Sequence, residues 1–436
     1  MSTPPLFSNA EWNKALDVVL NTNDSLFLTG RAGTGKSTLL RKVMASVPKK
    51  HVVLAPTGIA ALHVGGQTVH SFFGLEPRPY LPRDPQLLPT RNKQKATIIQ
   101  HLELLIIDEI SMLRSDLLSA IDHLLRVNCK AFSHVPFGGK QLLMVGDLYQ
   151  LPPVVRSQNT SGGISEAHLL SEHYESPYFF DAPVFKELQY KTIELKHIYR
   201  QDDDKFINVL NDIRFGQDLE YALEILNQRV GLSPPSNLPC ITLTSTNEIA
   251  NKLNWQKLIA LKTPARAYTA SLQGAFGNET PTDIELLLKE GAQVMFVKND
   301  LPQRRWVNGS IGHVEKLSPD AVHVRMESGD LHEVKPVTWD RYAFKHSPST
   351  NEIVREVVGA FTQFPLKLAW AITIHKSQGL TFDRAMIDLG ALAFAHGQTY
   401  VALSRCRTLE GVFLKRAIRP QDVCVDRRVD AFLGWG

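Results

Sequence analysis

Eight consecutive residues, Gly30-Arg31-Ala32-Gly33-Thr34-Gly35-Lys36-Ser37, carry the most specific chemistry in this chain. They match G-x-x-x-x-G-K-[ST], the pattern of a loop that cradles phosphate. Its glycines let backbone N–H groups curl around phosphate oxygens, and a following helix adds the positive end of its dipole. The expected cradle is Gly30, Ala32, Gly33, Thr34, Gly35, Lys36, Ser37 and Thr38. Lys36 suits the β- and γ-phosphates of a nucleotide, and the Ser37 hydroxyl suits Mg²⁺. A Gly-rich turn before an ordinary helix has the same letters. The flanks favour the phosphate loop: residues 25–29 are a short apolar run suited to a buried strand, and residues 37–43 have helical apolar spacing.

Two carboxylates follow at the end of another apolar run, 102–107. Asp108 suits a magnesium ligand, direct or through water, and Glu109 suits a base that orients and deprotonates an attacking water. Adjacent carboxylates at a strand end can also cap a helix. Gln150 lies past a third strand-like run, 141–145, within Gly146-Asp147-Leu148-Tyr149-Gln150-Leu151-Pro152-Pro153. Its amide can touch both a γ-phosphate and the water, or serve as an ordinary loop hydrogen-bonder.

These groups need a scaffold that brings strand ends together. Residues 9–21 have helical spacing, with Trp12, Leu16, Val19 and Leu20 on one face. Strand-like runs at 51–55, 102–107 and 141–145 alternate with helical patterns at 58–63 and 113–126. That alternation predicts right-handed crossovers and a parallel sheet, with the polar motifs at the carboxyl edge where such sheets bind ligands. Composition sets the outer bounds. At 436 residues the chain is long enough for two to four domains, and 43% apolar with 21% charged content is ordinary for a globular protein. A net charge of +4 permits a nucleic-acid partner without arguing for one. No apolar run reaches the length of a membrane span, and the N-terminal residues lack a signal-peptide pattern. The four cysteines are widely spaced with no C-x-x-C pair, which points away from a zinc site or disulfide framework.

Several blocks, in order along residues 20–415, resemble the Pif-type DNA helicases, superfamily-one motors that translocate 5′ to 3′. They are Asp108-Glu109-Ile110-Ser111-Met112, Pro136-Phe137-Gly138-Gly139-Lys140-Gln141-Leu142 and the block around Gln150. Ala55-Pro56-Thr57-Gly58-Ile59-Ala60-Ala61 and Thr68-Val69-His70-Ser71-Phe72-Phe73-Gly74 are similar to the family's early DNA-contacting motif. Thr373-Ile374-His375-Lys376-Ser377-Gln378-Gly379-Leu380-Thr381 is similar to its late one, and Gln398-Thr399-Tyr400-Val401-Ala402-Leu403-Ser404-Arg405-Cys406 to its closing arginine motif. One position departs. Related motors often carry a glutamine in the first helix that reads adenine; by spacing that position is Trp12, so selectivity for ATP is not inherited from that contact.

The resemblance implies an α/β fold of two RecA-like parallel-sheet motor domains, with a small wedge insertion in the first and an SH3-like β-barrel insertion in the second. The expected boundaries are 1–177 for the first domain, with the wedge at 64–92, then 178–284 and 363–436 for the second, and 285–362 for the inserted barrel. Short alternating strands between 286 and 359, with turn signals at Asn308-Gly309 and Ser328-Gly329-Asp330, agree with the barrel or with a plain β appendage. Residues 156–176, rich in Ser, Gly, Glu and His, suit a mobile linker, and five prolines between 77 and 89 suit a stiff protruding loop, a fork wedge or a surface loop without a role.

The implied cofactors are ATP and Mg²⁺. Arg200 and Arg405 are the implied arginine fingers, Arg405 more strongly. The implied DNA contacts are Thr57, His70, Asn247, Thr373, His375 and Lys376, with Phe72 or Phe73 stacking on bases. For Asn247 a helix N-cap by it or Thr246 competes with that reading, and for the phenylalanines a core role does. The implied partners are single-stranded, forked and partial-duplex DNA, extending to G-quadruplexes and RNA–DNA hybrids. A monomer in the cytoplasm of a bacterium or in a phage setting is expected, working in DNA repair or recombination. Two other classes remain: a DNA-stimulated translocase subunit of a larger recombination or nuclease complex, and an inactive DNA-binding module, against which intact Lys36, Asp108, Glu109 and Arg405 speak.

Overall fold

Continuous apolar runs have no polar face, so they need cover on both sides, which a parallel sheet flanked by helices provides. The computed structural model describes residues 9–155, 165–201, 203–235, 238–277, 280–300, 303–347, 349–350, 352–393 and 395–434. The chain divides into two units.

The first unit takes in the chain up to Leu148, then Pro152–Tyr199 and Arg341–Val358. Its sheet contains β1 (Ser25–Gly30), β2 (His51–Ala55), β3 (Gln67–Thr68), β4 (Leu104–Ile107), β5 (Gln141–Val145) and β6 (Tyr190–Leu195). The order is β3-β2-β4-β5-β1-β6 and the pairs are parallel. Strands β1, β4 and β5 are buried along their whole length. The unit's helices are α1 (Ala10–Asn21), α2 (Lys36–Ser46), α3 (Gly58–Val64), α4 (Val69–Phe73), α5 (Lys93–His101), α6 (Ser115–Asn128) and α7 (Glu166–Ser171). Helix α1 buries Trp12, Ala15, Val18 and Val19, a face rotated from the expected one; Leu16 is only partly covered. These side chains join Leu26, Leu28, Leu39, Leu40 and Val43 in one core, where each fully buried aliphatic contributes about 1.5–3 kcal/mol.

Three expectations change here. The first domain does not end at 177. Strand β6 pairs with β1 from Ser25↔Tyr190 to Gly30↔Leu195, so the unit runs on to Tyr199. Phe179 packs on Phe27 with ring centroids 5.7 Å apart, placing the 178–199 stretch on the first sheet. The stretch 156–176 is not simply a linker. Residues 156–164 lie outside the described residues, but Glu166–Ser171 is helical, capped by the Ser165 hydroxyl, and Glu166 pairs with Arg114. The proline-rich stretch 74–92 forms no helix or strand, as proline dictates, yet it lies against the unit rather than standing free. Tyr80 is 2% exposed and Leu87 is buried. The Tyr80 amide donates to Asp116 at 2.9 Å, and Arg78 pairs with Asp84 at 2.5 Å while stacking over the Tyr80 ring.

The second unit takes in Tyr149–Leu151, Arg200–Asp340 and Gly359–Gly436. It opens with α8 (Asp204–Phe215), α9 (Leu219–Asn227), β7 (Ile241–Thr244) and α10 (Asn247–Ala260). An all-β stretch follows: β8 (Ala265–Thr269), β9 (Ser271–Gly274), β10 (Glu285–Lys289), β11 (Gln293–Phe296), β12 (Ile311–Leu317), β13 (Val322–Met326), β14 (Leu331–Val334), β15 (Val337–Ser347), β16 (Glu352–Gln363) and β17 (Leu366–Leu368). The chain closes with β18 (Ala371–Thr373), β19 (Ala385–Asp388), α11 (Gln398–Leu403), β20 (Val412–Leu414) and α12 (Arg427–Leu433). The unit's parallel sheet has the order β18-β7-β19-β20.

The inserted β region is wider than the expected 285–362. Its five-stranded antiparallel sheet, β14-β13-β12-β11-β17, reaches Leu368, and β8 pairs with β10. Tyr268, Leu286, Val294, Phe296, Trp306 and Leu366 share one core, so strands on both sides of the expected limits belong to it. The outer parts of β15 and β16 belong to the first unit. There Phe344 meets Phe72 edge-on at 6.1 Å, His346 lies 4.5 Å from His101 between ring centroids, and Arg355 Nη1 donates to the Gly65 carbonyl at 3.0 Å.

Candidate functional site

The phosphate-loop residues sit where β1 gives way to α2. Gly30 has to be glycine because β6 runs beside it: a Cβ there would lie 2.6 Å from the Leu195 carbonyl oxygen. Gly35 has φ +88°, and a Cβ on it would lie 2.9 Å from Trp12 Cζ2. Trp12, only 2% exposed, thus packs onto the loop as a buttress. The Lys36 ammonium is held by the carbonyls of Gly30 (2.6 Å) and Arg31 (3.0 Å), directly over the loop. Ser37 and Thr38 are exposed in the first turn of α2, and the Thr38 amide donates to the Gly35 carbonyl at 3.0 Å. Thr34 is different: it is buried, and its hydroxyl donates to the Arg31 carbonyl at 2.9 Å, so it shapes the loop from behind.

Asp108 and Glu109 emerge from the carboxyl end of β4. Asp108 is 8% exposed. Burial pushes its carboxyl up to about 7, and the Glu109 carboxylate adds to the rise, against the Glu109 backbone amide and Lys36, which favour the anion. Glu109 has φ +50° and ψ +45°, the left-handed region that a side chain rarely adopts. Such strain gathers at functional sites. Here it turns the chain sharply away from the strand at the second carboxylate.

Gln150 was expected on the first domain, but the structure assigns Tyr149–Leu151 to the second unit. This segment lies against Gly397, at the start of α11, and its amide oxygen accepts from Gln378 Nε2 at 3.4 Å. Arg405 follows the same helix. It is 1% exposed, with Nε on the Val401 carbonyl at 2.8 Å, Nη2 on the Ser404 hydroxyl at 2.8 Å, and Nη1 at 3.4 Å from the carbonyls of Ser377 and Leu380. Arg200 Nη1 donates to the Ser404 carbonyl at 3.3 Å. Burial and the nearby Arg407 lower the Arg200 guanidinium below its usual value, while Tyr400 acts the other way; an added anion would restore it. The structure therefore gathers Gln150, Arg200 and Arg405 within one unit and leaves Arg200 the less committed of the two arginines.

The expected DNA-contacting residues form two sets. In the first unit, Thr57 caps α3, its hydroxyl oxygen accepting from the Ala60 amide at 3.3 Å, and His70 is half-buried on α4. In the second, Asn247 opens α10 and is exposed, while Thr246 is the N-cap, accepting from the Ile249 amide. Thr373 ends β18, and its hydroxyl oxygen accepts from the Lys376 amide at 3.3 Å. His375 is half-buried, which lowers its pKa, and Lys376 is exposed. Strands β7 and β18 are neighbours, so Asn247, Thr373 and Lys376 share one sheet edge. A threonine that accepts an amide proton still has its own O–H to donate to phosphate. Phe72 does not fit its expected role. It is 2% exposed, edge-on to Phe73 at 4.9 Å and to Phe344, so it is a core ring with no free face for a base.

Sequence reasoning missed three residues. The Tyr199 amide donates to the Gly33 carbonyl at 2.9 Å, tying the end of the first unit to the phosphate loop. Gln378 holds Gln150. Arg214, on α8, is buried beside Tyr149. Tyr199 and Gln378 had a sequence signal, Tyr199 as the aromatic next to Arg200 and Gln378 as a member of the late block with His375 and Lys376.

A phosphate loop and paired carboxylates at the carboxyl edge of one parallel sheet, with two arginines in a second unit built on another parallel sheet, define a phosphate-loop NTPase of the two-sheet motor class. A family profile for the PIF1-like helicase matches residues 9–221. The chain is 34% identical to the ATP-dependent DNA helicase Pif1 of Bdellovibrio bacteriovorus, covering 96% of this chain and 90% of that protein. It resembles a Bacteroides Pif1 crystallised with ADP-AlF4, with TM-score 0.88, 39% identity and coverage of 98% and 96%. It also resembles a Bacteroides Pif1 bound to single-stranded DNA, with TM-score 0.69, 39% identity and coverage of 97% and 96%. The chain belongs to the PIF1-like helicase family.

Proposed function

We propose that this protein is an ATP-dependent DNA helicase that moves 5′ to 3′ on single-stranded DNA and displaces the complementary strand. The observation that carries this reading is the joint presence of an intact phosphate loop and a strained Asp108-Glu109 pair at one sheet edge, in a chain whose family relatives are DNA helicases.

Lys36 exchanges its loop carbonyls for the β- and γ-phosphates. Ser37 and Asp108 offer the hard oxygen donors that suit Mg²⁺, and burial of Asp108 makes a nearby cation welcome. Among the described residues no group of three His, Cys, Asp or Glu offers another seat. Mg²⁺ commonly takes few protein ligands and completes its shell with phosphate and water, and when bound it neutralises charge on the phosphates. Glu109 takes the proton of the attacking water, and Gln150 holds that water in line. Arg200, and Arg405 after giving up its carbonyls, stabilise the charge on the transferring phosphoryl, an effect of about 10³–10⁵ in rate. Thr57 and His70 in the first unit, and Asn247, Thr373, His375 and Lys376 in the second, grip the phosphate backbone. Gain and loss of the γ-phosphate alternates the two grips and shifts the strand. Excluding the second strand costs about 1.4 kcal/mol per base-pair step. Forked and partial duplexes are the natural substrates, with G-quadruplexes and RNA–DNA hybrids opened by the same exclusion, and a single copy suffices for each step. Among the described residues no helix is long and apolar enough to cross a membrane.

The test is strand displacement on partial duplexes with a 5′ or a 3′ single-stranded tail, with ATP and Mg²⁺, beside a Lys36→Ala control. Unwinding from the 5′ tail alone, lost in the control, supports the reading. Unwinding from the 3′ tail overturns the polarity. DNA-stimulated ATPase with no unwinding replaces the helicase by a translocating subunit of a larger assembly.

A further inference from the structure

The chain on either side of Tyr149–Leu151 belongs to the first unit, yet these residues belong to the second. Three features hold them there. Tyr149 is 1% exposed, and its hydroxyl donates to Asp430, which also receives Arg427 at 2.9 Å. The Arg214 guanidinium carbon lies 4.5 Å from the Tyr149 ring centroid, with Phe215 at 5.0 Å and Tyr400 at 6.0 Å, so the cation sits in an aromatic cage. Phe215 also meets the Tyr149 ring edge-on at 5.1 Å. Gly397 has φ +68°, and a Cβ there would lie 2.2 Å from the Tyr149 carbonyl oxygen and 2.6 Å from that of Gln150. The backbone of this segment thus rests directly on the start of the helix that leads to Arg405.

Packing alone does not call for an arginine at position 214. It is 2% exposed, desolvating a guanidinium is costly, and an apolar side chain of similar volume would fill the cage. What the cation adds is orientation, because it holds the Tyr149 ring face-on. The next residue is Gln150, whose amide is fixed by Gln378. Gln378 lies in the same short block as His375 and Lys376.

We propose that Arg214 and Asp430 are positioning residues for ATP hydrolysis: by gripping the Tyr149 ring and hydroxyl they fix Gln150 to the frame that carries Arg405 and the late DNA-contacting block. DNA held by that block then sets where Gln150 stands, which makes hydrolysis depend on DNA. This rests on reading Gln150 as the residue that holds the γ-phosphate and water.

The experiment measures ATPase kcat and KM, with and without single-stranded DNA, for Arg214→Met, Arg214→Lys, Tyr149→Phe, Asp430→Asn, Gln150→Ala and the double variant Arg214→Met/Gln150→Ala, each checked for thermal unfolding. Arg214→Met is expected to lower the DNA-stimulated kcat by about 10²-fold, the scale of a small misplacement, with KM for ATP unchanged. Arg214→Lys, which keeps a cation in the cage, restores part of it. Tyr149→Phe, which keeps the ring and is the variant safest to fold, loses part of the stimulation through the Asp430 contact alone. In the Gln150→Ala background, Arg214→Met should cost nothing further. A merely structural role would lower the melting temperature and the active fraction while leaving the ratio of stimulated to basal kcat untouched, and that result overturns the proposal. Additive losses in the double variant, with Gln150→Ala itself impaired, also overturn the clamp while sparing the reading of Gln150. Wild-type hydrolysis by Gln150→Ala overturns that reading and the clamp with it.

Discussion

Glu109 combines two demands on one residue: the carboxylate proposed to take a proton, and a backbone in the left-handed region. Each can be separated by substitution. Glu109→Gln keeps size and backbone and removes the base, so kcat should fall by about 10²–10⁴ with nucleotide binding retained, as measured by single-turnover hydrolysis and nucleotide titration. Glu109→Gly and Glu109→Ala both lose the base, but glycine relieves the left-handed conformation. The glycine variant should be the more stable of the two by about 1–2 kcal/mol in urea denaturation. The identity of this residue was legible, because an acidic pair after an apolar strand has few readings beside a phosphate loop. Its strained backbone was not, since strand-end geometry is set by neighbours distant in sequence. Phe72 shows the opposite limit. An aromatic side chain serves a core as well as it serves a base, and only the Phe73 and Phe344 contacts decide.

Among the elements, the proline-rich stretch 74–92 owes its position to one buried carboxylate. Asp116, fully buried, receives the Tyr80 amide at 2.9 Å and Arg114 Nη2 at 2.7 Å, and Arg114 in turn binds Glu166. Asp116→Ala should therefore cost about 3–5 kcal/mol of stability and expose 74–92 to protease before the rest of the unit. Shortening 75–90 tests a fork role: unwinding should fall more than ATPase, and equal loss of both would remove the wedge. A second buried carboxylate, Asp422, anchors the turn before α12. Burial alone would raise its pKa, but hydrogen bonds from Arg416 and Arg419 outweigh this and hold it below the ordinary carboxylate range. A folded-state value below the unfolded one means stability that is full at neutral pH and lost as pH falls through the acid range, below about pH 5. Asp422→Asn should be less stable at pH 7, with the gap from the parent protein narrowing toward about pH 3 in thermal melts. Sequence reading found most helices and strands here because apolar period is a local property. It took 166–171 for linker because that helix is held by a distant arginine.

At the scale of the molecule, a net charge of +4 is too small to bind DNA by itself, so the grip must come from placed groups. Affinity for single strands should fall with salt, and Lys376→Ala should reduce the slope of log K against log salt by about 0.7, as read from fluorescence titrations. Domain limits were the least legible feature. The expected break at 177/178 failed because β6 returns to pair with β1, and the barrel limits failed because β8 and β17 close its core from outside. The motif order along the chain, in contrast, was readable without any knowledge of pairing, and with it the family. The chain passes between the two units five times, after residues 148, 151, 199, 340 and 358. A single nick at any one of these crossings would leave the other four intact. Neither unit can be had by trimming the gene from one end, and a nicked molecule should still purify as one piece until denatured.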